Sequence, residues 1–283
     1  STSRPGAALR MMRPVNCAMM GAAVIVSEIA ILGAIPSPVQ MALGFAVGFL
    51  LTASAMIIND VVDLEIDKIN APERPLPSGM VSRRAAVWMA CATGVLGMVA
   101  SVPLSYYALA VAALTFVSSY LYNTRGKQTG LLGNSMVAFC VAMPFLFGGI
   151  VVVGYIDLLV AVFFLLAFLA TIGREVTKGI ADMEGDRTKN IRTVALSKGA
   201  RFAGGVAALF YILPVLLTPF PYLYGAIGLA YVIVVIAVDA GFCYSAFSIL
   251  GSHDRQNALK VKTQARYWML LALVAFLLGG LFR

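Results

Sequence analysis

Two short stretches of this chain concentrate residues able to hold a metal ion. The first reads Asn59-Asp-Val-Val-Asp63-Leu-Glu-Ile-Asp67 and the second Asp182-Met-Glu-Gly-Asp186. Asn59, Asp63 and Asp67 recur at every fourth position, so on a helix they share one face, and Asp182 and Asp186 repeat that spacing. Like charges one helical turn apart oppose each other by about 0.2–0.5 kcal/mol per pair. An acidic solvated loop would account for any one of these aspartates, but it accounts poorly for a spacing that occurs twice. Carboxylates and an amide are hard oxygen donors of the kind Mg²⁺ prefers, and Mg²⁺ is usually held through one or two carboxylates plus substrate phosphate oxygens. Basic residues bracket both stretches: Lys68 and Arg74 around the first, Lys178, Arg187 and Lys189 around the second. Acids and bases together describe a site for Mg²⁺ and a diphosphate, with the metal bridging protein and leaving group. His253 is the one histidine, and the four cysteines lie far apart inside apolar runs. That argues against a zinc, copper or iron centre and against a disulfide framework.

The elements that must position these residues are membrane helices. Of the 283 residues, 60% are hydrophobic and 12% charged, with a mean hydropathy of +0.89, whereas soluble domains carry about 25% charged residues. A soluble enzyme is excluded. Apolar runs of span length, about 20 residues, predict nine transmembrane helices near 15–35, 40–60, 84–103, 105–123, 132–152, 156–178, 201–218, 222–248 and 264–282. Pro36, Pro38, Pro103, Gly154, Pro219 and Pro221 mark connections that carry no lysine or arginine. All the basic residues except Arg283 fall in the N-terminal arm and the other four connections. The positive-inside rule then predicts a cytoplasmic N-terminus and cytoplasmic acidic stretches, with the C-terminus outside. The net charge of +8 is thus mainly a topology signal, spread over juxtamembrane loops and unsuited to nucleic acid. No cleavable signal peptide is expected, since the basic start leads directly into a full span. Each acidic stretch follows an even-numbered span. One transmembrane domain over 1–283 is therefore expected, with spans 1–4 and 5–8 as a possible pseudo-repeat.

The first stretch, followed by Arg74-Pro-Leu-Pro-Ser-Gly79, resembles the NDxxDxxxD signature of the UbiA superfamily of intramembrane prenyltransferases, and the second resembles its DxxxD motif. Arg13-Pro14 and the run from Tyr122-Asn-Thr-Arg-Gly-Lys127 to Asn134 match as well, in the same order along the chain. The resemblance implies an all-α bundle of nine helices around a central cavity open sideways to lipid. It makes Asn59, Asp63, Asp67, Asp182 and Asp186 the Mg²⁺ ligands, with two ions bridging the diphosphate and the four aspartates catalytic. Arg74, Lys127 and Lys178 would bind the diphosphate, and Tyr122 and Asn134 would line the site. Arg13-Pro-Val-Asn16-Cys17 and Thr129 to Asn134 resemble the archaeal ether-lipid branch. That branch moves a geranylgeranyl group from an allylic diphosphate to geranylgeranylglyceryl phosphate, and here Arg13 and Asn16 would bind the acceptor. Many members carry acids where this chain has Gly179 and Ala181, which bears on the acceptor more than on the diphosphate. An aromatic acceptor, as in quinone or haem precursor synthesis, is the alternative. A cation transporter is disfavoured because both acidic stretches lie at one surface, not near the midplane. Tyr106, Tyr107, Phe139 and Phe145 are candidates to line an isoprenoid channel. Glu28, Asp157 and Asp239 lie remote from both stretches and read as structural. No obligate protein partner is expected.

Overall fold

The computed structural model describes residues 4–188 and 192–283; Lys189, one of the basic residues bracketing the second stretch, lies outside them. Every regular element of the described residues is helical. They run α1 (Arg4–Met12), α2 (Pro14–Leu32), α3 (Pro38–Val62), α4 (Leu64–Asn70), α5 (Arg83–Ser101), α6 (Tyr106–Thr124) and α7 (Leu131–Val153). There follow α8 (Leu158–Ala181), α9 (Met183–Thr188), α10 (Val194–Lys198), α11 (Ala200–Leu217), α12 (Phe220–Leu223), α13 (Leu229–Gly251) and α14 (Arg255–Leu281).

Local chemistry sets the boundaries. Ser37 opens α3 with a capping box closed by Gln40, and Pro38 occupies the first helical turn, where its missing N–H is harmless. Ser82, Ser105, Asp157 and Asp254 each accept a backbone N–H at the start of α5, α6, α8 and α14. At the far end of α2, the Arg283 guanidinium donates to the carbonyls of Ala30 and Ile31, satisfying groups the helix leaves open.

Eight helices among the described residues are long and apolar enough to cross a membrane. The ninth long helix, α6, coincides with the expected span at 105–123, but Tyr106, Tyr107, Tyr120, Tyr122, Ser118, Ser119 and Asn123 dilute its hydropathy. The last helix begins well before the expected residue 264, because Asp254 caps a charged first stretch bearing Arg255, Lys260 and Lys262.

Consecutive long helices pack as neighbours and the ring closes where α14 meets α2; α2 also crosses α7, and α8 also meets α14. Where two helices approach closely, glycine permits it. A methyl on Gly148 would lie 2.6 Å from the Val24 carbonyl, and one on Gly280 would lie 2.5 Å from the Ala30 Cα. Ser27 Oγ, buried between α2 and α7, donates to the Phe145 carbonyl at 2.8 Å, so the hydroxyl is not left bare in an apolar layer. The larger apolar core joins α8, α11, α13 and α14, with Phe163 and Phe276 stacked at 4.1 Å; the smaller joins α2, α3, α6 and α7. Between the cores lies a cavity of about 560 Å³ walled by eight of the long helices. The remaining one, α5, stands behind α3, where Ala86, Ala90, Gly94 and Gly97 form a narrow stripe and Ser54 Oγ donates to the Ala90 carbonyl at 2.7 Å.

Candidate active site

Two helices lead to the polar end of this cavity in the same way. On α3 the lining residues recur from Leu51 and Thr52 through Ala55 and Met56 to Asn59, and on α8 from Ala170 and Thr171 through Arg174 and Glu175 to Lys178. One further turn along each stripe brings Asp63 and Asp182. Both are the residues at which their helices stop. Asp63 (φ −85°, ψ 5°) ends α3 and leads into α4, and Asp182 (φ −100°, ψ 7°) ends α8 and leads into α9. The hydrogen-bond pattern runs through both bends, from Asp67 N–H to the Asp63 carbonyl at 2.8 Å and from Asp186 N–H to the Asp182 carbonyl at 2.9 Å. The spacing of four residues in each motif therefore survives the change of direction.

The acids are matched by bases. Asn59 Nδ2 donates to Asp63 Oδ2 at 3.1 Å, and Lys127 Nζ reaches the same oxygen at 2.7 Å. Arg74 Nη1 donates to Asp67 Oδ2 at 2.7 Å and lies 4.0 Å from Asp60 Oδ1, to which Arg13 Nη2 donates at 2.9 Å. Across the cavity, Glu175 accepts from Arg174 at 2.8 Å and from Lys178 at 2.9 Å. Lys127 is delivered by a tight loop between α6 and α7. There Gly130 adopts φ 64°, ψ −125°, a conformation open essentially to glycine alone. A methyl on Gly133 would come within 2.3 Å of the Gly126 carbonyl. Thr129 in this loop bridges to Arg192, joining it to the segment that follows α9.

This donor set suits Mg²⁺ by its chemistry. The candidate ligands are oxygens on two bent helix ends, and among the described residues no three acidic, cysteine or histidine side chains form a closed cage. Mg²⁺ seldom uses such a cage and takes the rest of its shell from water and substrate phosphate.

Sequence comparison decides the family. A profile of the UbiA prenyltransferase family matches residues 20–280. The chain belongs to the UbiA prenyltransferase family. Among its relatives is the digeranylgeranylglyceryl phosphate synthase of Thermococcus kodakarensis, 38% identical over 275 residues that cover 97% of this chain and 98% of the relative. A solved structure described as giving insight into digeranylgeranylglyceryl phosphate synthase in membranes is 29% identical, superposes with a TM-score of 0.86, and is matched over 98% of this chain and 99% of its own. A UbiA homolog from Archaeoglobus fulgidus, bound to GPP and Mg²⁺, shares the fold with a TM-score of 0.73 at 16% identity, over 95% of this chain and 99% of its own. The protein is thus a membrane prenyltransferase.

Within this UbiA chain the structure sorts the expected site residues. Asn59, Tyr122, Lys178, Arg13 and Asn16 line the cavity, whereas Asp63, Asp67, Arg74 and Lys127 form the ion-paired rim beyond Asn59. Asp182 and Asp186 sit half-buried at the α8–α9 bend, and Asn134 is half-buried in the first turn of α7, apart from the cavity lining. Gly179 has ordinary contact with Thr193, but Ala181 is 2% exposed in the apolar core, where an acid would be stranded. Tyr106 and Tyr107 are corrected. They are 89% and 67% exposed at the opposite end of the bundle, since they open α6 while its cavity face starts at Ala112. Phe145 lines the cavity as expected, and Phe139 instead packs edge-on against Phe164. Asp157 caps α8 and Asp239 accepts from Thr218 at 2.7 Å, both structural. Cys91 is exposed on α5.

Several residues escaped the sequence reading, among them Arg174, Glu175 and Arg266 in the cavity wall. Asp60, flanked by motif residues, is 4% exposed and ties Arg13 to the first motif. Asn123, next to the expected Tyr122, donates to the carbonyls of Ala55 and Ser119 and faces the cavity. Its signal is an amide beside Tyr122 near the end of a span-length helix.

Proposed function

We propose that this prenyltransferase moves a geranylgeranyl group from geranylgeranyl diphosphate to the free hydroxyl of geranylgeranylglyceryl phosphate, a step of ether-lipid synthesis. One observation carries the reading: the cavity between the cores is apolar along α2, α7 and α14 and ends at two bent helices bearing acids and bases. An isoprenoid tail suits the first part and a diphosphate the second. The synthase relative from Thermococcus supports the choice of acceptor.

Asn59, Asp63, Asp67, Asp182 and Asp186 would hold Mg²⁺, as two ions. When bound, the metal supplies positive charge that stabilises the departing diphosphate. Lys127, Lys178 and Arg74 add their charge on the same oxygens, which favours the transition state over the ground state because negative charge grows there. The bond from the allylic C1 to oxygen breaks and its electron pair leaves with the diphosphate. The acceptor oxygen attacks C1, and its proton passes to the departing diphosphate. Tyr122 and Asn134 border the reacting end. The apolar walls keep water from the allylic carbon, so the hydroxyl that is bound there is the nucleophile that captures it.

The arrangement in the membrane follows the charges. The acidic end faces the cytoplasm together with the N-terminus, α6 is the ninth span, and the C-terminus lies outside. The four helices α2, α3, α5, α6 and the four helices α7, α8, α11, α13 are two halves of one domain, supported by the matching bends at Asp63 and Asp182.

Purified protein given labelled geranylgeranyl diphosphate and Mg²⁺ should prenylate geranylgeranylglyceryl phosphate and leave 4-hydroxybenzoate untouched. Asp63→Ala and Asp182→Ala should each reduce turnover at least a hundredfold, and the double variant should be little worse than either single, as for groups acting as a unit. Efficient prenylation of 4-hydroxybenzoate alone would replace the acceptor. Robust turnover by either single variant would remove the shared site.

A further inference from the structure

Three of the four cations that line the cavity are already engaged. Arg13 is paired with Asp60, and Arg174 and Lys178 share Glu175. The fourth, Arg266 on α14, makes no ion pair among the described residues; its guanidinium rests 5.6 Å from the Tyr267 ring and is exposed.

The height of Arg266 follows from helix geometry. α2 and α14 run parallel, and their C-terminal parts meet tightly at Ala30 and Gly280, where an added methyl would be 2.5 Å from the Ala30 Cα. Counted back from that contact, Arg266 on α14 and Asn16 on α2 are the same number of residues away, about 21 Å at 1.5 Å per residue. An arginine and an amide thus stand level on the two helices that flank one side of the cavity, and both contribute to its wall. Asn16 is itself exposed and begins the α2 lining stripe that continues through Met19, Met20, Ala23 and Val24.

We infer that Arg266, with Asn16, is the specificity-determining anchor for the phosphate monoester of the acceptor lipid, distinct from the residues that hold the donor diphosphate. The inference rests on the acceptor proposed above. A phosphate dianion needs a positive partner of its own, because Arg13 and Arg174 compensate Asp60 and Glu175 inside the protein and Lys178 is taken up by the donor diphosphate. A guanidinium presents paired N–H groups that match two phosphate oxygens, and the Asn16 amide can add a third donor. Placed at the α2–α14 opening, the pair holds the headgroup at the cavity edge. The acceptor's chain then lies along the apolar α2 and α14 stripes and its hydroxyl points inward.

An arginine at this height could instead serve only to anchor α14 among lipid headgroups, and equilibrium binding without donor separates the two roles. Full-length protein in detergent is titrated calorimetrically with geranylgeranylglyceryl phosphate and with its dephosphorylated analogue, geranylgeranylglycerol. Wild type should prefer the phosphate ester by about ten- to a hundredfold, the range expected of a charge-assisted contact. Arg266→Gln should bring the preference to within about threefold of unity, while Arg266→Lys keeps only part of it, because an ammonium retains the charge but not the paired N–H groups. Affinity for geranylgeranyl diphosphate should stay unchanged in both variants, which shows that they fold. Full preference in Arg266→Gln overturns the role of Arg266 and leaves the acceptor standing. No preference in wild type overturns the acceptor and the anchor together.

Discussion

The pair between Arg13 and Asp60 makes an asymmetric prediction about stability. Asp60 is 4% exposed, with Arg13 at 2.9 Å as its close partner and Arg74 at 4.0 Å as a distant one. The two arginine side chains are 36% and 42% exposed. Removing the base and removing the acid are therefore different experiments. Arg13→Gln strands a carboxylate that water cannot reach, a loss of about 3 kcal/mol, the low end for a broken buried pair, because Arg74 still compensates in part. Asp60→Ala leaves two guanidinium groups that can turn into water, so only the charge-assisted hydrogen bond is lost, about 1–2 kcal/mol. The double variant should resemble Asp60→Ala, since with the acid gone the loss of Arg13 has little left to break. Reversible unfolding of purified protein in mixed dodecyl maltoside and SDS micelles, read by circular dichroism, gives all four corners of the cycle. Asp60→Ala as damaging as Arg13→Gln, or simple additivity of the two, would refute the view that Arg13 serves chiefly to neutralise a buried acid.

Two further outcomes test the packing and the placement in the membrane. A methyl on Gly44 would lie 2.2 Å from Glu28 Oε1, and Glu28 is fully buried with neither carboxylate oxygen hydrogen-bonded. Gly44→Ala should destabilise by about 1–3 kcal/mol in the same micellar titration, and adding Glu28→Ala should recover most of that loss; a harmless Gly44→Ala would show the contact to be slack. Single cysteines at Ile69, 83% exposed beside the first motif, and at exposed Ser37 in the α2–α3 connection should label from opposite sides of sealed vesicles, Ile69 from the cytoplasmic side; labelling from one side would reverse or break the topology.

Most of the long helices were legible because a bilayer imposes one period and one length on apolar segments. Proline, glycine and charge then mark where those segments stop. Legibility failed where a segment obeys neither rule. The first stretch of α14 is helical yet charged, because Asp254 caps it and α13 supports it. The side on which a helix faces the cavity was less readable still. Tyr106 and Tyr107 look like channel residues by type, and only the register of α6 shows that its cavity stripe begins a turn later. The acidic motifs were visible as spacing, but the identity of each partner was not. Arg74 and Lys127 meet Asp67 and Asp63 across loops whose path depends on glycines at 79 and 130, and no periodicity encodes that path. Asp60 was passed over because a four-residue stripe draws the eye past its neighbour, although that neighbour is the more deeply buried residue.

The two bends have a common electrostatic logic. An aspartate at a helix C-terminus faces the negative end of the helix dipole, while one just before a helix N-terminus faces the positive end. Asp63 and Asp182 occupy both positions at once, closing α3 and α8 and preceding α4 and α9. The unfavourable and favourable contributions offset each other, so a carboxylate can be held at a turn without weakening either helix greatly. Asp67 and Asp186 stay one turn from Asp63 and Asp182 across the bends, and in the first motif Lys127 and Arg74 offset the repulsion of the two acids. Bending at the first aspartate of each motif keeps the backbone hydrogen bonds intact. The same four-residue spacing thus sets a carboxylate at the junction of two helices in both places, where the opposed dipole contributions meet.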